Sequence, residues 1–240
     1  MRTSIIVLAL VMIECSCEYR SQPRFELPSI MLWAWQRSEN LSFIDTQTTG
    51  VAYLAGTARI LPNGFPEFEP RLQPLRLQPG TPVLAVVRIE SAASHAPAQI
   101  APLAQALSQV AREPAIRGIQ IDFDARVSER AFYISLLRAL RTQSPAPVGI
   151  TALASWCEGD RWLEHTNIAE AVPMFFRMGK DETHNMQVTS SSCASSIGLS
   201  TDEAWPLYRP PGLKRIYLFS PRAWNRETYL HALQRIDSWK

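Results

Sequence analysis

Eight short apolar runs recur along this chain, and few folds can bury eight strands at once. They occupy residues 30–35, 50–56, 83–90, 118–125, 148–156, 171–178, 196–200 and 215–219. Each is too short for a buried helix and rich in branched or aromatic residues, which favours strands. Helical spacing lies between some of them. Residues 97–113 set Ile100, Leu103, Leu107 and Val110 on one face, and Ser128 stands as the cap of a helix with Phe132, Leu136, Leu137 and Leu140 on its apolar side. A terminal helix is expected over 226–239. Strands alternating with helices imply a parallel sheet. The count of eight predicts an α/β fold, a small, partly degenerate (β/α)8 TIM-type barrel. It is degenerate because several connections fall short of the dozen or so residues that a parallel return needs. The alternative is an open doubly wound sheet, but the chain lacks the Gly-rich phosphate turn of that fold.

Shorter signals fill the gaps. Leu61-Pro62-Asn63-Gly64 reads as a hairpin turn, since Asn-Gly tolerates positive φ. Residues 71–77 alternate like a strand, and Pro74 assigns them to an edge. A brief helical link is expected over 161–170, and loop over 180–194.

The 240 residues suffice for one large domain, and residues 30–240 are read as one. Hydrophobic residues make up 46% and charged residues 19%, enough apolar matter for a full core and too little charge for a disordered chain. A net charge of +2 without a basic run argues against a nucleic-acid partner. The four histidines, His95, His165, His184 and His231, are scattered, and no Cys-x-x-Cys accompanies them, so neither a metal nor a cofactor is expected. Arg2 followed by the apolar run 5–13 is too short to span a bilayer and reads as an export signal over residues 1–17. Export would deliver the chain to the periplasm or outer envelope. Ser16-Cys17 loosely matches a lipoprotein attachment site, with Glu14 a poor fit, so a membrane link would run through Cys17. Cys157 and Cys193 then remain as a disulfide candidate, the alternative being two buried thiols. Cys157 ends a strand and Cys193 precedes one, which suggests opposite rims.

The most informative run is Gly118-Ile119-Gln120-Ile121-Asp122-Phe123-Asp124-Ala125. Its strict alternation places Ile119, Ile121 and Phe123 on one face and Gln120, Asp122 and Asp124 on the other. At roughly 3.3 Å per residue the two carboxylates stand about 6–7 Å apart. Acids that close split their pKa values, which is raw material for general acid/base work. In such barrels the working face lies at the carboxyl ends of the strands. There the chain carries Trp35, Gln36 and Arg37, then Arg88 and Glu90, Trp156 and Glu158, Arg177, Asp202 and Glu203, and Tyr217. Each has a plainer reading. The aspartates could be structural acids paired with Arg88, Arg126 or Arg177; the tryptophans could be core; Asp202 and Glu203 could cap a helix. Ser191, Ser192, Ser195 and Ser196 lack a His-acid arrangement or a Gly-x-Ser-x-Gly elbow, which excludes a serine hydrolase.

Several motifs look familiar together: Trp33-Ala34-Trp35-Gln36-Arg37, Gln120-Ile121-Asp122-Phe123-Asp124-Ala125, Ile150-Thr151-Ala152-Leu153-Ala154-Ser155-Trp156-Cys157, Pro173-Met174-Phe175-Phe176-Arg177-Met178-Gly179 and Gly198-Leu199-Ser200-Thr201-Asp202-Glu203. With the runs at 50–55 and 217–221 they resemble a bacterial family, domain of unknown function 3142, over nearly the whole mature chain. That family brings no reaction with it. Residues 118–124 are also similar to the fourth-strand motif of chitinase-like barrels, glycoside hydrolase family eighteen. That resemblance puts Asp124 in the proton donor's position and Asp122 in its partner's. Gln120 replaces an earlier Asp, Asp124 is a methylene shorter than the usual Glu, and Arg177 replaces a polar or acidic residue. The implied protein is an exported glycoside hydrolase, acting on or binding a polysaccharide. Trp35, Trp156 and Tyr217 would stack sugar rings, with Gln36 beside them. Arg88 and Arg177 would fix carboxylates or an anionic sugar, and Glu90 or Glu203 would supply the second carboxylate, Asp202 lying next to it. The alternative is a non-catalytic carbohydrate-binding or envelope-associated protein on the same barrel.

Overall fold

The computed structural model describes residues 25–61, 65–91, 95–178, 188–207 and 209–239. The signal region, Cys17 and His184 lie outside them, as does the Pro62-Asn63-Gly64 turn. Eleven strands are numbered in chain order: β1 Ile30–Ala34, β2 Glu39–Asn40, β3 Thr49–Ile60, β4 Pro66–Pro70, β5 Leu75–Arg76, β6 Val83–Ser91, β7 Ile116–Asp122, β8 Val148–Leu153, β9 Glu170–Met174, β10 Ser196–Ser200 and β11 Arg215–Phe219. Three α-helices join them: α1 Ile100–Val110, α2 Arg130–Gln143 and α3 Arg226–Ser238.

Every one of the eight apolar runs supplies a barrel strand. Their order is β1-β11-β10-β9-β8-β7-β6-β3, all neighbours are parallel, and β3 pairs back with β1 to close the ring. The barrel is degenerate as expected. Among the described residues only α1, α2 and α3 are full helices; the described parts of the connections after β8 and β9 carry 3-10 turns, Ala154–Cys157, Trp162–His165 and Ser191–Cys193.

Some boundaries differ from the sequence reading. β3 runs on to Ile60, because its second half pairs on one side with β6 and on the other with antiparallel β4. The strand expected over 71–77 shrinks to Leu75–Arg76, which pairs with β2. Pro74 lacks a donor, and the Arg71 side chain turns back onto the Gln73 carbonyl, so no longer ladder forms. Ser128 does not cap α2. It sits in a 3-10 turn, Val127–Glu129, where the Glu129 carboxylate accepts the Arg126 backbone N–H at 2.7 Å. At α3 the Asn225 side chain accepts from the Thr228 backbone N–H at 2.8 Å.

The alternation in β7 sorts the core into layers. Ile119 and Ile121 face outward against Leu107, Leu136 and Leu140 of α1 and α2. On the opposite side Ile197, Leu199, Ile216 and Leu218 meet Tyr229, Ala232 and Ile236 of α3. Inside the ring lie Met31, Trp33, Leu84, Val86, Val172 and Tyr217, with Phe25 packed beneath. Three glycines make room for these rings. A methyl on Gly198 would come within 2.7 Å of Trp33, and methyls on Gly118 and Gly149 would strike Phe25. Lower in the ring Glu170, 5% exposed, accepts the Tyr217 hydroxyl at 2.7 Å and pairs with Arg215 and Ser196. No helix among the described residues is long and apolar enough to cross a membrane.

Candidate functional site

The carboxyl ends of the strands open into a cavity of about 860 Å³. Strand periodicity decides what reaches it. On β7, Gly118, Gln120 and Asp122 share the inner face. Gln120 is buried and accepts the Trp33 indole N–H at 3.0 Å, so it belongs to the packed layer below. Asp122, one step of the pleat higher, is the first β7 side chain at the cavity wall, and Asp124 follows at the rim just past the strand's end.

Two aspartates of the same strand face meet different surroundings. Asp122 is half-buried, and its Oδ1 accepts the Thr151 hydroxyl at 2.7 Å. Loss of water around its carboxyl pushes its pKa up to about 6; Asp124 adds to the rise, while the Thr151 bond and the Arg88 charge oppose it. Asp124 is exposed, and among the described residues no cation or hydrogen-bond donor holds its carboxylate. Among the described residues neither Arg88, Arg126 nor Arg177 forms an ion pair with either aspartate, and two of them lie beside glutamates. Arg88 Nε lies 3.6 Å from Glu90, and Arg177 Nε lies 3.5 Å from Glu203.

The rest of the wall is mixed. Trp33, Trp35, Phe176 and Phe219 supply rings, with Phe176 stacked on Phe219 at 5.4 Å and 4°. Arg88, Arg177 and Glu158 supply charge. Arg177 holds φ at +61°, a left-handed backbone that bulky residues avoid. Glu203 secures it, accepting the Arg177 backbone N–H at 2.9 Å.

Of the residues singled out in the sequence, Asp122, Asp124, Trp35, Arg88 and Arg177 line the cavity. The others are placed elsewhere. Trp156 is 3% exposed and packs edge-on against Trp162 at 4.9 Å. The chain leaves β8 in a 3-10 turn that keeps Ala154 and Ser155 at the rim and turns Trp156 and Cys157 down into the outer layer. A ring buried there has no face for a sugar. Tyr217 is fully buried mid-strand, 5.2 Å from Trp33, with its hydroxyl on Glu170. Burial, then the Glu170 charge, raises its pKa well above the usual phenol value, so it stays a donor. Glu90 is drawn to Arg59 at 3.2 Å on the neighbouring strand. Gln36 is exposed without lining the cavity, and Asp202 takes the Ser200 hydroxyl in the turn after β10, with no helix following. Cys157 and Cys193 are bridged, with Cα atoms 5.9 Å apart. The same downward turn after β8 brings them to one place instead of opposite rims.

Thr151, Phe176 and Phe219 line the cavity without having been chosen from the sequence, and Glu158, noted at its strand end but given no role, lines it too. Phe219 was legible: two residues past Tyr217 is the next inward position on β11. Glu158 was visible among the strand-end residues. Thr151 gave no signal, because a threonine in an apolar strand reads as a strand former. Among the described residues no group of three side chains could hold a metal ion.

No protein-family model and no curated protein matches the sequence. Among solved structures the chain is similar to the "Crystal structure of putative Chitinase A from Streptomyces coelicolor", with a TM-score of 0.58 and 13% identity, over 88% of this chain and 95% of that one. At that identity the likeness is one of fold. It is the closed, eight-stranded parallel barrel of chitinase type.

Proposed function

We propose that this protein is an exported, glycoside-hydrolase-like barrel that acts on or binds a polysaccharide, with Asp124 as the acid and Asp122 as its partner. On its motifs we place it in the family of domain of unknown function 3142. The observation that carries the functional reading is the contrast at the end of β7: an exposed, unpaired carboxylate beside one shielded enough to hold a proton near pH 6, both on one 860 Å³ cavity.

In this reading a sugar stacks on Trp35, with Phe176 and Phe219 beneath. Asp124 reaches the glycosidic oxygen and passes it a proton as the bond to the sugar carbon breaks. Asp122 replenishes that proton. Glu90 and Glu203 are tied to arginines, so Glu158 is the carboxylate left to take a proton from the water whose oxygen bonds to the sugar carbon, from another side of the cavity. Arg88 and Arg177 hold a carboxylate or sulfate of the chain. The Cys157–Cys193 bridge and the leader-like residues 1–17 support an oxidising compartment outside the cytoplasm.

The second reading, a binding protein without turnover, draws on Gln120. Where an acid would extend the proton path below Asp122, a carboxamide bonded to Trp33 cannot titrate. A panel of labelled glycans, including peptidoglycan fragments, separates the two. Cleavage by the wild type and its loss in Asp124→Ala supports the enzyme. Equal binding by both, with no cleavage by either, leaves the binding protein.

A further inference from the structure

The strongest unassigned contact in the cavity joins two neighbouring strands. β7 and β8 run in register with Ile121 beside Ile150, which sets Asp122 next to Thr151 one residue on. Thr151 is 3% exposed, and its hydroxyl lies 2.7 Å from Asp122 Oδ1. A β-branched side chain on a strand has little rotamer freedom, so the hydroxyl cannot swing aside. It carries a single proton. A buried hydroxyl keeps its donor engaged, and a carboxyl oxygen accepts it whether the acid is ionised or protonated on its other oxygen.

We propose that Thr151 is the positioning residue of the carboxylate pair: it locks the Asp122 carboxyl and reserves Oδ2 as the oxygen that takes up and returns the proton. The groups around Asp122 act in separable ways. From β6 Arg88 favours the anion, from just past β7 Asp124 opposes it, and from α2 Tyr133 stays neutral, its own pKa raised by burial first. Thr151 alone among them holds the carboxyl by a direct hydrogen bond. The catalytic meaning rests on the reading above; the proton chemistry does not.

The test is the titration of Asp122 in the full chain, followed by carboxyl-carbon NMR and assigned with Asp122→Asn. Thr151→Val keeps the shape and removes the donor. The bond is kept in both protonation states, so only its extra strength to the charged form is lost, which raises the midpoint by about one pH unit, roughly a tenfold gain in proton affinity. Thr151→Ser restores the wild-type midpoint, and with a cleavable glycan the alkaline limb of kcat/KM moves with it. A Val variant that titrates as wild type, or a Ser variant that titrates as Val, overturns the proposal. If the Val variant does not fold, Thr151→Ala takes its place under the same criteria. A shifted midpoint with no cleavage by any variant defeats the enzyme reading alone; cleavage with an unmoved midpoint defeats only the role of Thr151.

Discussion

The guanidinium of Arg71, just past β4, donates to the backbone carbonyl of Trp35 at the cavity mouth. It also serves the carbonyls of Ala34 and Arg37, and its Nε serves Gln73. Four acceptors thus share one planar fork, and the loop that carries Trp35 is pinned from the neighbouring hairpin. Lysine, a point charge on a flexible stem, cannot reproduce this. Arg71→Lys is therefore expected to weaken ligand binding about tenfold, or roughly 1.4 kcal/mol, with kcat nearly unchanged. Titration of the tryptophan fluorescence with a bound glycan would measure it.

Asp122 should make stability fall with rising pH. Its folded pKa of about 6 lies above the ordinary carboxylate value of 3.8, so between those two the folded chain binds more protons than the unfolded one. The Asp122 contribution to stability is greatest below about pH 4 and declines until pH passes 6. The full effect is on the order of 3 kcal/mol as an upper bound. Asp122→Asn still accepts from Thr151 and removes the titration. Its melting temperature should exceed the wild type's more at pH 8 than at pH 4.

Glu170 balances Arg215 inside the ring, where the side chains are 4% and 11% exposed. Glu170→Gln leaves a buried guanidinium without its counter-charge, at a cost of about 3–5 kcal/mol. Urea unfolding should show the midpoint fall, and Glu170→Gln combined with Arg215→Met should recover part of it.

The Cys157–Cys193 bridge closes a sequence separation of 36 residues. Loop-closure entropy over that span is worth about 3–4 kcal/mol. A Cys157→Ala, Cys193→Ala double variant should unfold at correspondingly lower denaturant, and the wild type should show the same loss in a strong reductant.

Much of the barrel was legible because strand signals are local. Each apolar run carries its own period, and β7 even displays which face looks inward. Asp122 and Asp124 could be placed on one face for the same reason. The misplacements share another cause. Trp156 follows β8 in sequence, yet a 3-10 turn carries it over the rim; Tyr217 is inward but one pleat too deep, and Phe219 stands where it was expected. Neither strand ends nor turn paths are written in period-two alternation.

Left to itself, the order of residues determined eight strands, their inner and outer faces, and two aspartates at the end of the fourth barrel strand, since all of these follow from backbone geometry over a few residues. Which side chains meet was decided by closure of the ring. Register between strands gave Asp122 to Thr151 and Glu90 to Arg59, and left Asp124 exposed, because contacts between distant segments depend on how the whole sheet curls and where each connection descends.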